Sequence, residues 1–118
     1  MWGIVGYIGS QNTRDILIDG LKELEYRGYD SAGIAILKDS NIEVYKALGK
    51  IVNLEEKANK DKCTLDDNEF SIGIGHTRWA THGKPTEINA HPHLGEYSYV
   101  VHNGIIENYK ELRAFLGA

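Results

Sequence analysis

The sequence predicts an α+β fold in a single domain. Five short segments have the β-branched and aromatic content of strands, and three others repeat apolar residues at helical spacing. Two of the strand segments are joined by a short polar turn, which predicts a β-hairpin. A chain of 118 residues is long enough for one domain, and about two thirds of its unfolded surface can be buried at this size.

The chain opens with a predicted strand followed by a predicted amphipathic helix. The strand covers Gly3 to Ile8, and Asn12 is a favourable N-cap with Asp15 three residues later as a weak capping-box partner. We expect the helix to end before Gly28, and Gly20 in its middle indicates close packing against a neighbour. The apolar stripe of this helix consists of Leu17, Leu21 and Leu24.

The middle of the chain predicts a hairpin, a short helix and a further strand. The hairpin strands cover Ser31 to Leu37 and Ile42 to Leu48. The later strand covers Phe70 to His76, with isoleucines at alternate positions. The stripe of the short helix consists of Ile51, Leu54 and Ala58.

The last third of the chain begins with a segment that has neither helical nor strand periodicity. It runs from His76 to Gly95, and an irregular segment of this length in a small domain is usually functional. A fifth strand is predicted from Tyr97 to His102, and Asn108 with Glu111 predicts a capping box that opens a final helix. The apolar face of that helix consists of Leu112, Phe115 and Leu116.

Composition excludes several classes of protein. The net charge of −4 lacks the basic footprint of a nucleic-acid binder. No apolar run is long enough to span a membrane, and the N-terminus lacks the basic region of a signal peptide. The single cysteine, Cys63, excludes an internal disulfide, so we expect a reducing, cytoplasmic setting.

The histidines are numerous for so small a domain and raise the question of a metal site. The chain has neither the HExxH motif nor a cysteine pair for zinc, and the spacing around His91 and His93 does not fit a cupin-type barrel. We therefore predict no metal, and the ordinary alternative is hydrogen bonding within a polar loop. The histidines in question are His76, His82, His91, His93 and His102.

Two short motifs are candidates for substrate recognition. Arg78 can bind a carboxylate with two parallel hydrogen bonds and Trp79 can exclude water, although a surface ion pair and core packing explain them equally well. After the fifth strand, the side-chain amide of Asn103 and the backbone N–H of Gly104 can form an oxyanion hole. The alternative is an ordinary hairpin turn at this Asn-Gly pair.

Longer motifs resemble one known family. The chain resembles the N-terminal glutaminase domains of the glucosamine-6-phosphate synthases, which are class II glutamine amidotransferases. The resemblance covers the whole chain. It implies that residues 1–118 are the N-terminal portion of a type 2 glutamine amidotransferase domain. The motifs that carry it are GIVGYIG, LEYRGYDSAGIA, GHTRWATHGKPTE, NAHPH and VVHNGIIENYKELR, in the family's order.

The resemblance implies an N-terminal-nucleophile hydrolase, in which an αββα sandwich presents a cysteine at the mature N-terminus. That cysteine attacks the glutamine amide with its own α-amino group as general base. By this match Asn103 and Gly104 form the oxyanion hole and Arg27 orients the N-terminal amine. His91 and His102 are expected to have supporting roles.

The resemblance also implies a glutamine pocket after the fourth strand. Arg78 is expected to hold the α-carboxylate, and Thr81 and His82 to line the pocket. Residues 78–85 are expected to close over the ligand, and Trp79 to gate the passage of ammonia. The expected partners are glutamine and a sugar-isomerising domain that supplies fructose 6-phosphate, with no cofactor, and a homo-oligomer is compatible with this picture.

Two departures from the family pattern stand out. Trp2 occupies the position of the nucleophilic cysteine, and indole offers no nucleophile for this step. The family's domain is roughly twice as long, so we expect an acidic contact for the glutamine α-amino group and several strands to lie beyond Ala118. The chain is therefore expected to be catalytically inactive, and the alternative function is a non-catalytic glutamine-binding or protein-interaction module.

Overall fold

The computed structural model describes residues 3–10, 12–25, 30–38, 41–59, 71–79, 90–96, 98–103 and 107–117. These residues form six strands and three helices, which confirms the α+β class. The strands are β1 (Gly3–Gly9), β2 (Ser31–Lys38), β3 (Asn41–Leu48), β4 (Ser71–Arg78), β5 (His93–Leu94) and β6 (Tyr99–Val100). The helices are α1 (Thr13–Glu23), α2 (Ile51–Asn59) and α3 (Tyr109–Leu116).

The main sheet has four antiparallel strands in the order β1-β4-β2-β3. Its centre is the β2–β4 pair, in which Gly33 lies opposite His76 and Ser31 opposite Arg78. The predicted hairpin is confirmed, since β2 pairs with β3 from Ser31↔Leu48 to Lys38↔Asn41. The two short strands β5 and β6 form a separate pair.

One face of this sheet, the helix face, carries the hydrophobic core. Helix α1 packs on it closely, because a Cβ at Gly73 would overlap Leu17 and one at Gly20 would overlap Val5. This confirms the close packing predicted at Gly20. The side-chain oxygen of Asn12 accepts a hydrogen bond from the Asp15 N–H, as the N-cap prediction requires. The buried core consists of Leu17, Ile18, Leu21, Ala32, Ile34, Ile36, Ala47, Ile51 and Leu54.

The opposite face, the open face, consists of the strand positions that alternate with those of the helix face. It carries Ile4, Ile8, Ala35, Leu37, Ile42, Ile72, Ile74, His76 and Arg78. Within the described residues several of its aliphatic side chains are substantially exposed, with Ile8 at 62% and Ile72 at 43%. The isoleucine alternation that predicts β4 therefore marks the open face, and small glycines make room for the helix on the other.

Helix α2 agrees with its prediction, since Ile51, Leu54 and Ala58 are its buried residues. Arg14 of α1 is a charged residue on the helix face. It is buried there and donates to Glu43 and the Tyr45 hydroxyl. None of the helices in the described part of the chain is long and apolar enough to cross a membrane.

The last third differs most from its predictions. Strand β4 continues to Arg78, and β5 lies inside the segment predicted to be irregular. Within residues 98–102, the predicted strand from Tyr97 to His102 is reduced to β6. At its C-terminal end, the backbone groups of His102 bond to histidine rings instead of a neighbouring strand.

Helix α3 also departs from its prediction in two respects. Asn108 is its N-cap, but the Asn108 side chain makes no capping hydrogen bond, so the capping box is wrong in detail. None of the helix residues is buried, and Phe115 is 86% exposed. The helix ends at Gly117, whose positive φ of 73° favours glycine.

Candidate functional site

The candidate site begins at the end of β4, where strand alternation places His76 and Arg78 on the open face. Both side chains are buried, with His76 fully inaccessible and Arg78 at 8% exposure. The carbonyl oxygen of Arg78 accepts a hydrogen bond of 2.7 Å from the N–H of Asp30. The end of β4 is therefore attached to the residue that precedes β2.

Residues 90–93 cover this end of the open face. Ala90 and Pro92 are buried, and the carbonyl oxygen of His91 lies directly over Gly33. A Cβ at Gly33 would overlap that oxygen, so the close approach requires glycine. The absence of a side chain in β2 thus brings His91 against the sheet beside His76.

Three imidazole rings are in contact here. The rings of His76 and His91 are stacked with centroids 4.1 Å apart, and the His93 ring is tilted against His91 at 4.2 Å. No three His, Cys, Asp or Glu residues in the described ranges are arranged to hold a metal ion. The contacts among these rings are those of packing and hydrogen bonding.

The two stacked rings hold the backbone that leads to Asn103. His76 Nε2 lies 2.7 Å from Asn103 Oδ1 and 3.1 Å from the carbonyl oxygen of His102. The N–H of His102 donates to His91 Nδ1 at 3.3 Å. The contacts join the end of β4, the segment at His91 and the residue predicted to form an oxyanion hole.

The rings are uncharged at neutral pH. Burial lowers the pKa of His76 to about 4, against a smaller opposite effect from its hydrogen bonds to Asn103 and His102. Burial lowers the pKa of His91 to about 3, helped by the positive charge of Arg78 and by repulsion between protonated imidazoles in acid. Burial also lowers the pKa of His93. At pH 7 these imidazoles therefore act as neutral hydrogen-bonding groups.

The structure contradicts the ordinary alternatives for both Arg78 and Trp79. Arg78 is buried, which contradicts a surface ion pair, and Trp79 is 50% exposed, which contradicts core packing.

The exposed Asn103 is followed by helix α3, and in the described residues β6 pairs only with β5. This arrangement does not support a simple hairpin at the Asn-Gly pair.

Of the predicted site residues, five are described: Arg78, Trp79, His91, His102 and Asn103. Trp2, Arg27, Thr81, His82 and Gly104 lie outside the described residues, as does Cys63, and their roles stay predictions.

Sequence reasoning gave His76 only the hydrogen-bonding role considered for all five histidines, and the structure puts it at the centre of the site. The signal was available in the strand period. Residues i and i+2 of a strand share a face, so a strand that presents Arg78 also presents His76 beside it.

A cavity of about 260 Å³ lies over the other end of the open face. Its walls are mostly aliphatic and include Leu37, Ile42, Ile72 and Ile74, with Tyr99 from β6. None of its described lining residues is charged and able to bind a polar amino acid, so the histidine end of the face is the better candidate site.

Comparison with known proteins gives one consistent result. The chain is 60% identical over 114 residues to the isomerizing glutamine–fructose-6-phosphate aminotransferase of Campylobacter jejuni, covering 96% of this chain and 18% of that protein. The enzyme of the same name from Clostridium perfringens is 56% identical over 118 residues, with coverages of 98% and 18%. That from Helicobacter pylori is 57% identical over 113 residues, with coverages of 96% and 18%.

The chain therefore spans less than a fifth of the length of these curated relatives. No family model matches it.

Proposed function

Because the chain is homologous to the N-terminal part of the isomerizing glutamine–fructose-6-phosphate aminotransferases, we propose that it derives from their glutamine-hydrolysing half. Residues 1–118 are then the N-terminal portion of a type 2 glutamine amidotransferase domain. The ancestral reaction releases ammonia from glutamine for transfer to fructose 6-phosphate in a sugar-isomerising domain outside this chain. We also propose that the chain is cytoplasmic and that it self-associates.

One observation carries the proposal: the end of β4 brings Arg78 and His76 to one face, and His76 holds Asn103 there. Amide hydrolysis passes through a tetrahedral intermediate whose oxygen becomes negative, and hydrogen-bond donors must be in place for it. The side-chain amide of Asn103 is one such donor, and the backbone N–H of Gly104 is the proposed second. Arg78 is the proposed partner of the glutamine α-carboxylate.

The remaining roles follow from the resemblance. Thr81 and His82 line the proposed glutamine pocket and Trp79, already exposed beside Arg78, covers it and gates ammonia. Arg27 orients the N-terminal amine in this scheme. The helix layer on one side of an antiparallel sheet supports half of an αββα sandwich, whose second half would lie on the open face.

The nucleophile is the part of the proposed active site in which this chain departs from the family. Trp2 stands where the family carries cysteine, and its indole can neither attack the amide nor hold a covalent intermediate. The second candidate function is therefore binding without turnover. A glutamine-binding or protein-interaction module would keep Arg78 and the Asn103 amide but release no product.

Ammonia release from glutamine separates the two functions. We expect this chain to release none above background, and Trp2→Cys alone to leave turnover absent, because the proposed acidic contact for the glutamine α-amino group lies outside the chain. Covalent capture of a glutamine-like electrophile at the N-terminus of the unsubstituted chain would contradict the first expectation. Recovered turnover in Trp2→Cys would show that residues 1–118 complete the pocket.

A further inference from the structure

We infer that His76 is a positioning residue, which holds the Asn103 amide with its oxygen inward and leaves its NH₂ group for the reacting carbonyl of glutamine. The hydrogen bond between His76 and Asn103 is observed independently of any function, while its role in amide hydrolysis rests on the proposed function. His76 is buried at the end of β4, and Asn103 is exposed above it. The amide is thus fixed on one side and accessible on the other.

The direction of the hydrogen bond follows from the two neighbours of His76 Nε2. The carbonyl oxygen of His102, 3.1 Å away, can only accept, so Nε2 must carry the proton. The Asn103 atom at 2.7 Å must then also be an acceptor, which is Oδ1 and not the NH₂ group. The backbone carbonyl therefore removes the usual ambiguity in the orientation of an asparagine amide.

A second ring keeps this arrangement in place. His91 stacks on His76 and accepts the N–H of His102 through Nδ1, so the two rings bind both backbone groups of His102. The His91 backbone lies on Gly33 in the sheet. Asn103 is thus attached through two rings to the centre of the main sheet.

The other atoms of the His76 ring have no competing task in the described part of the chain. Nδ1 is buried and makes no hydrogen bond there, and both hydrogen bonds of the ring run through Nε2. The low pKa of His76 keeps the ring neutral at pH 7, which is the state with one N–H to donate. The ring therefore acts on its surroundings through the contact with residues 102 and 103.

The first test examines the hydrogen bond between His76 and Asn103 and requires no enzymatic activity. Long-range ¹H–¹⁵N spectra of the unsubstituted chain at pH 7 should show His76 as the Nε2–H tautomer. His76→Leu should shift the side-chain NH₂ signals of Asn103, whereas His76→Gln, which can place an amide N–H near Nε2, should largely preserve them. The Nδ1–H tautomer would overturn the inference, as would unshifted Asn103 signals in a folded His76→Leu chain. If His76→Leu does not fold, the tautomer and His76→Gln still decide.

The second test measures how His76 substitutions change the rate of nucleophilic attack in the Trp2→Cys background. The diazoketone analogue of glutamine, 6-diazo-5-oxonorleucine, reports nucleophilic attack without turnover: the thiol proton passes to the diazo carbon, a carbon–sulfur bond forms and N₂ leaves. We expect His76→Leu to slow the maximal rate of capture at least about tenfold with little change in the half-saturating concentration. His76→Gln should recover most of that rate.

A double-substitution cycle distinguishes positioning from general support of the fold. If His76 acts through Asn103, His76→Leu should have no further effect on capture in an Asn103→Ala background. Additive losses would overturn the inference, as would unchanged capture in His76→Leu alone. Absence of capture in Trp2→Cys itself would instead count against the proposed function, and the spectra would then decide the role of His76.

Discussion

The two faces of the main sheet use the same strands for opposite purposes. On the helix face, glycines in β4 let Leu17 and Leu21 of α1 pack against the strands. On the open face, the same β4 carries isoleucines at one end and the polar His76 and Arg78 at the other. The comparison teaches that one side of each strand supplies stability, while the other positions a polar site beside exposed apolar surface.

The largest expected effect comes from removing a side chain of matched size from each face. Leu17→Ala should lower the free energy of unfolding by about 2–5 kcal/mol, because Leu17 is fully buried against the sheet. Ile72→Ala should cost less than about 1 kcal/mol, because Ile72 keeps 43% of its surface exposed. Urea denaturation measures both values. Equal losses would mean that the open face is packed as tightly as the helix face.

Acid should weaken the histidine end of the open face. The folded pKa of His76 is about 4, below the unfolded value near 6.5, so the unfolded chain binds the proton more readily between these values. Its contribution to stability is therefore complete above pH 6.5 and is lost as pH falls to about 4. We expect a loss on the order of 2–3 kcal/mol from this residue.

Urea denaturation at pH 7 and at pH 4.5 measures this dependence, and His76→Gln is the matched control. The loss in stability between the two pH values should be smaller in His76→Gln. His91, with a pKa of about 3, extends the same trend to lower pH in both chains. A wild-type chain that is as stable at pH 4.5 as at pH 7 would show that the rings are not held neutral.

The apolar part of the open face should cause self-association. Ile8, Leu37, Ile42 and Ile72 are partly exposed and adjacent in the strand register, and contiguous apolar surface of this kind favours association. Ile72→Lys should reduce it, whereas Val52→Lys, at an equally exposed position of α2, should not. Sedimentation over a wide concentration range measures the effect. A monomer with a cooperative melt above about 60 °C would contradict the expectation.

Local sequence signals were sufficient for much of the fold. The leucine spacing of α1, the spacing of Ile51, Leu54 and Ala58 in α2, and the polar turn between β2 and β3 each depend on a few neighbouring residues. Asn12 was likewise recognisable as an N-cap, because a cap acts within one helical turn.

Tertiary contacts explain what the sequence did not predict. Residues 97–102 have strand propensity, but the backbone of His102 bonds to rings that come from β4 and from the segment at His91. Arg14 is charged but lies one turn before Leu17 on the buried side of α1, and Glu43 and Tyr45 on a distant strand provide the partners that allow its burial. The specific role of His76 was not predicted for the same reason, because its partner Asn103 is 27 residues away.

The central claim is that the histidine end of the open face, and not the helix face, binds glutamine. A glutamine titration followed by ¹H–¹⁵N spectra tests it most directly. We expect shifts at the Trp79 indole, the Arg78 guanidinium and the Asn103 side-chain amide, with a Kd weaker than about 1 mM because one charge-assisted contact cannot offset the entropy of association. Arg78→Ala should abolish these shifts. Shifts confined to α1 and the helix face, or saturation in the micromolar range that survives Arg78→Ala, would contradict the account.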